Sequence, residues 1–137
     1  MSMSPLTSPE SQPQAPPTVL LAEDEEVVRE VMAQMLQTLG YRVLAAENGC
    51  HALELFADCP EAIELVIFDL SMPAMNGAEL FDRLRSLAPE VKTLLTTGHD
   101  ELAEVKRMRC AGLTGFRPKP LTLKDMRRAV DEVMGSC

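Results

Sequence analysis

The chain is short of positive charge: 137 residues carry 13 Lys and Arg against 21 Asp and Glu, a formal net charge of −8. A nucleic-acid partner needs a basic face, so that class of function is not expected. Part of the acidic excess is local, in the run Glu23-Asp24-Glu25-Glu26. Long apolar runs are also missing, which excludes a membrane-spanning helix. The N-terminus has no cationic start followed by an apolar core, so it is not a secretory signal, and the cytoplasm is the expected location. Cys50, Cys59, Cys110 and Cys137 lack CxxC spacing. In a reducing compartment, with enough core, they are expected as free thiols. Cys50-His51 has no second half at metal-ligand spacing, so no zinc site is expected. Neither GxGxxG nor GxxxxGK[ST] occurs, which excludes the two common glycine-rich nucleotide loops.

What is present suits one domain with a real core, 46% of the residues being apolar and 25% charged. Residues 1–17 hold five of the ten prolines, four serines and no basic residue. Such a segment cannot bury enough surface to offset its ordering entropy, and a disordered arm or linker is expected. From 18 to 135 short apolar runs alternate with helix-period stretches. Strands are expected at about 18–23, 42–46, up to Asp69, 91–96 and 114–118. Helices are expected at about 25–39, 49–58, 77–87, 100–110 and 122–135. In the first helix Val28, Val31, Met32, Met35 and Leu39 form a docking stripe, and in the third Leu80, Phe81, Leu84 and Leu87 do. Gly40 closes the first helix. Asn76-Gly77 reads as turn and helix-start chemistry. Short connections and right-handed crossovers make this an α/β fold, a parallel sheet with helices on both faces.

The carboxyl ends of such strands share one edge, where ligands bind. That edge collects Glu23 and Asp24, Asp69, Thr97 and Lys119. Two negative charges about 6 Å apart repel by roughly 2–3 kcal/mol at an effective dielectric of about 20. Lys119 offsets part of this repulsion, and a hard divalent cation such as Mg²⁺, which takes oxygen ligands and favours phosphate, offsets the rest. An aspartate in such a site can be a nucleophile toward phosphorus. Asp69 is the best candidate, because the other carboxylates come as an adjacent pair fit to hold metal. Lys119 and either the Thr97 hydroxyl or a backbone N–H could hold phosphoryl oxygens.

Four segments carry a family resemblance: Val19-Leu-Leu-Ala-Glu-Asp-Glu25, Leu65-Val-Ile-Phe-Asp-Leu-Ser-Met-Pro-Ala-Met-Asn-Gly77, Leu94-Leu-Thr-Thr-Gly98 and Phe116-Arg-Pro-Lys-Pro120. From Thr18 to Met134 the chain resembles the receiver domain of two-component response regulators and hybrid histidine kinases. The resemblance implies a flavodoxin-like doubly wound sheet of five parallel strands in the order 2-1-3-4-5 with five helices. It implies Asp69 as phosphoacceptor, with Mg²⁺ held by Asp24 directly, by Glu23 through water, by Asp69 and by the backbone carbonyl of Ser71. Thr97 would be the switch hydroxyl, Phe116 the switch aromatic and Lys119 the phosphate-binding lysine. Ser71 and His99 stand at positions that tune dephosphorylation in this family. The Lys119-Pro120 bond is expected to be cis, and Pro118 falls on an edge strand, where proline is tolerated.

The partner implied is a histidine kinase or histidine phosphotransfer protein, with a downstream protein target for the α4-β5-α5 face. The domain would catalyse its own phosphorylation and dephosphorylation without being a turnover enzyme. Only three residues follow Met134, so an output domain is not expected in this chain; Thr96-Thr-Gly98 leans toward the hybrid-kinase type. Glu23 departs from the second Asp usual in the family. A haloacid-dehalogenase-type phosphatase is disfavoured because Ser71 stands where its general-acid Asp would be. A pseudo-receiver acting only as an interaction module is the remaining alternative, though it would be expected to have lost Asp69, Thr97 or Lys119.

Overall fold

The computed structural model describes residues 17–98 and 102–135. The expected arm lies outside the described residues apart from Pro17, and so does His99. The elements in chain order are β1 (Thr18–Ala22), α1 (Glu26–Thr38), β2 (Arg42–Ala46), α2 (Gly49–Asp58), β3 (Ile63–Asp69), α3 (Gly77–Leu87), β4 (Lys92–Thr97), α4 (Leu102–Cys110), β5 (Gly115–Pro118) and α5 (Leu123–Val133). All ladders are parallel, and the sheet order is β2-β1-β3-β4-β5.

Strand alternation divides the core into two layers. Val19, Leu21, Leu65, Ile67 and Leu94 pack against Met32 and Leu36 of α1 and Met126, Ala129, Val130 and Val133 of α5. Leu20, Ala22, Val66, Phe68 and Leu95 face the other way, onto Phe56 of α2, Leu80, Phe81 and Leu84 of α3, and Val105 and Met108 of α4. Asp69 ends β3 in step with Leu65 and Ile67, which directs it to the α1/α5 side.

The helix starts carry the capping chemistry their sequences advertise. The Asn76 side chain accepts from Glu79 N–H and the Glu79 side chain accepts from Asn76 N–H, a reciprocal cap on α3. Thr122 and Asp125 do the same for α5, and Asn48 caps α2 through His51 N–H. Gly40 takes φ 101° behind α1, a conformation costly for any residue with a Cβ. The Lys119-Pro120 peptide is cis, as expected.

Two expectations about packing are corrected. Val31 is 45% exposed; it lies one residue, about 100°, round the helix from Met32, off the centre of the buried stripe. Leu87 is 63% exposed, on the last turn of α3, where no neighbouring element among the described residues covers it. β4 also runs one residue further than expected, because Thr97 pairs in register with Pro118. Thr97 is therefore the last strand residue and not the first of the loop. β5 is an edge strand, which accommodates Pro118 at its end.

Candidate functional site

At the carboxyl edge Asp24, Glu25, Val28, Asp69, Ser71, Gly98, Lys119 and Pro120 line a cavity of about 480 Å³. β1 and β3 are neighbours, so their ends bring Glu23, Asp24 and Asp69 together. One carboxylate oxygen from each lies within 4.8 Å of the other two. The environments differ: Glu23 is 1% and Asp69 5% exposed, whereas Asp24 is exposed and has no hydrogen-bond partner among the described residues.

Lys119 enters this cluster from the turn after β5, its backbone N–H held by the Thr97 carbonyl at 2.9 Å. Its Nζ donates to Glu23 Oε1 at 3.0 Å and lies 3.6 Å from Asp69 Oδ1. The second distance is an ion pair too long for a hydrogen bond, and Asp69 Oδ1, buried, has no hydrogen-bond partner among the described residues. Burial pushes the Asp69 carboxyl from 3.8 up to about 6; Lys119 opposes this, Glu23 and Asp24 reinforce it, and the Leu70 backbone N–H lowers it. For Lys119 burial alone would depress the ammonium pKa. The hydrogen bond to Glu23 and the charges of Asp69, Glu23 and Glu25 outweigh burial and hold it above its ordinary value.

Three carboxylates thus face one ammonium, and one buried oxygen among them has no donor. A hard divalent cation fits this donor set, since it prefers oxygen ligands and supplies the missing positive charge. Ser71 is exposed at the cavity rim. Thr97 is fully buried, and Gly98, not Thr97, lines the cavity. Phe116 is half-buried against the α2/α3/α4 layer, opposite Leu95. Of the expected residues, Glu23, Asp24, Asp69, Ser71 and Lys119 are brought together, with Thr97 and Phe116 set back from them.

Three supporting residues escaped the sequence reading. Arg29 Nη1 donates to the Glu23 carbonyl at 2.9 Å; a basic residue six positions on gives little sign of that. The Thr96 hydroxyl reaches toward the Phe68 carbonyl at 3.4 Å, and the Thr96 carbonyl accepts from Leu70 N–H at 3.3 Å, fixing the turn that follows Asp69. Gly77 lies so close to the end of β3 that a Cβ would sit 2.4 Å from the Asp69 carbonyl oxygen. Its N–H also donates to the Leu70 carbonyl at 2.8 Å. The signal for Gly77 was its place beside Asn76, which pointed to a turn and not to this contact.

Comparison with known proteins gives this constellation a family. The response regulator receiver domain family matches residues 19–131. The sensor kinase CckA of Brucella abortus is 36% identical over 117 residues, 85% of this chain but 12% of that protein. Response regulator MprA of Mycolicibacterium vanbaalenii is 34% identical, over 81% of this chain and 47% of its own length. The chain therefore spans less than half the length of these curated relatives. The non-phosphorylated HemR receiver domain of Leptospira biflexa superposes with a TM-score of 0.79 at 30% identity, over 86% of this chain and 94% of that one. The chain belongs to the response regulator receiver domain family of two-component signalling.

Proposed function

We propose that the protein is a phosphoryl-accepting receiver, in which Asp69 takes a phosphoryl group from a phosphohistidine of a histidine kinase or histidine phosphotransfer protein. The observation that carries this reading is the buried Asp69 Oδ1, without a hydrogen-bond partner among the described residues, 3.6 Å from Lys119 Nζ. With its carboxyl near 6, Asp69 is mostly ionised at neutral pH and can attack. One Asp69 oxygen bonds to phosphorus as the phosphorus–nitrogen bond breaks, and that electron pair stays on the imidazole nitrogen.

Asp24, Asp69 and the Ser71 carbonyl would hold Mg²⁺, with Glu23 behind them. When bound, Mg²⁺ neutralises charge on the phosphoryl oxygens. Lys119 binds a second phosphoryl oxygen, and the Thr97 hydroxyl moves toward a third. Thr97 ends the strand whose Leu95 lies opposite Phe116, so its movement reaches Phe116 and the α4-β5-α5 face, a local charge change biasing a two-state element. Ser71 and His99 would set how fast water removes the phosphoryl group.

The test is intact mass after incubation with acetyl phosphate and Mg²⁺, beside Asp69→Asn. A gain of one phosphoryl group that requires both Mg²⁺ and Asp69 is expected. No gain, even with a phosphorylated histidine donor, would overturn the reading in favour of a receiver fold used only as an interaction module.

A further inference from the structure

The hydrogen bonds of Glu23 are unevenly replaceable. Its N–H donates to the Ala46 carbonyl at 3.0 Å, and its carbonyl accepts from Arg29 at 2.9 Å. Its Oε2 accepts from Glu25 N–H at 3.1 Å, and its Oε1 accepts from Lys119 at 3.0 Å. Two of these four partners are backbone groups, on β2 and in the tight turn between β1 and α1, and cannot be exchanged without moving backbone; the third, the Arg29 guanidinium, holds the Glu23 carbonyl and not its carboxylate. The lysine, on a flexible four-carbon stem, can be exchanged.

Each carboxylate oxygen of this buried residue thus already accepts one hydrogen bond, Oε1 from Lys119 and Oε2 from the Glu25 N–H. Asp24, without a hydrogen-bond partner among the described residues, and the unsatisfied Asp69 Oδ1 are the uncommitted acceptors. The Lys119 ammonium lies within 3.6 Å of two of the three carboxylates that a cation would use. A cation placed among the same oxygens would stand a few ångströms from the ammonium, and the two would repel.

Chain length decides where the ammonium rests. An Asp at position 23 would withdraw the carboxylate by about one carbon–carbon bond, ~1.5 Å. Lys119 would then be beyond hydrogen-bond reach of it and would close on Asp69 instead. Glu23, by reaching further, keeps Lys119 just short of Asp69.

We propose that Glu23 is a positioning residue for Lys119: in the cation-free protein it holds the ammonium off Asp69, and it surrenders the ammonium when a divalent cation occupies the site. The device keeps the Asp69 oxygen unblocked before the cation arrives, and releases the lysine toward the incoming phosphoryl group afterwards. It rests on the proposed cation site, and it assigns Glu23 a first role toward the lysine in place of a water-mediated role toward the metal.

The test follows the lysine directly, without phosphorylation. In the metal-free protein the side-chain ammonium ¹⁵N resonance of Lys119, assigned by its loss in Lys119→Met, should show scalar coupling across the hydrogen bond to the Glu23 carboxyl carbon. Titration with Mg²⁺ should abolish that coupling. Calorimetry should give Glu23→Asp, which keeps the charge but lets the lysine close on Asp69, a several-fold lower Mg²⁺ affinity than the wild type. That loss should vanish when both proteins carry Lys119→Met, because the lysine is what competes. Coupling that persists at saturating Mg²⁺, or an equal loss in the two backgrounds, would overturn the inference and leave the phosphoacceptor reading standing. No Mg²⁺ binding by the wild type would overturn both.

Discussion

Gly77 stands against the backbone of Asp69: the Cβ it lacks would lie 2.4 Å from the Asp69 carbonyl oxygen and 2.8 Å from Leu70 Cα. The obstacle is backbone, which cannot rotate away as a side chain would. Gly77→Ala should therefore cost about 1–3 kcal/mol, the usual range for overpacking. Urea denaturation checks the loss. Because relief requires the end of β3 to shift, the variant should also accept phosphoryl groups from acetyl phosphate more slowly. Wild-type stability would show that α3 backs away without strain.

Asp69 makes the metal-free fold pH-dependent. Its folded-state pKa, about 6, is raised above the ordinary 3.8, so the folded chain holds that proton more tightly than the unfolded chain does. The stabilisation is complete below about pH 4 and is lost as pH rises through 6. Two pKa units correspond to about 3 kcal/mol. Asp69→Asn should accordingly be more stable than the wild type at pH 7–8 in the presence of a chelator, with the difference closing toward pH 4. Denaturation midpoints of the two proteins across pH 4–8 measure this.

A divalent cation should reverse that deficit. Ligand binding to the folded state alone stabilises by about 2.7 kcal/mol at a concentration one hundred times Kd. Added Mg²⁺ should raise the wild-type melting temperature, and chelation should lower it again. Asp24→Asn, which removes an exposed carboxylate with no hydrogen bond among the described residues, should lose most of the response with little change in metal-free stability.

Ala74 adopts φ 68° in the loop between β3 and α3, a left-handed conformation that costs a side-chain-bearing residue about 1–2 kcal/mol. Ala74→Gly should relieve more strain than it adds in unfolded-state entropy, for a net gain of about 0.5–1 kcal/mol. Thermal denaturation decides it. The loop follows Asp69 directly, so the phosphorylation rate should be measured alongside.

Much of this was legible from short-range pattern. Apolar runs ending at Ala22, Phe68, Thr96 and Pro118 placed the strands and the edge where the site forms. Asn76 and Gly40 marked helix ends because their chemistry acts within a few residues. The hidden features depend on distances between segments far apart in sequence. Glu23 and Lys119 are 96 positions apart, and no periodicity reports that an ammonium lies 3.0 Å from one carboxylate and 3.6 Å from another. Gly77 against Asp69 is hidden for the same reason. Val31 and Leu87 matched an apolar period but fell off the stripe's centre or on a helix's last turn, because a period specifies a face and not where the neighbouring element ends.

Pro118 closes an edge strand of only four residues, with Arg117 before it. A proline has no N–H to offer, and a short, charged edge makes a poor template for strand addition. Backbone-to-backbone recognition, including the sheet extension that begins aggregation, is thereby discouraged along this flank. A protein that docks there must be recognised through the side chains of β5 and its flanking helices, so its selectivity is written in residues that can change without disturbing the sheet.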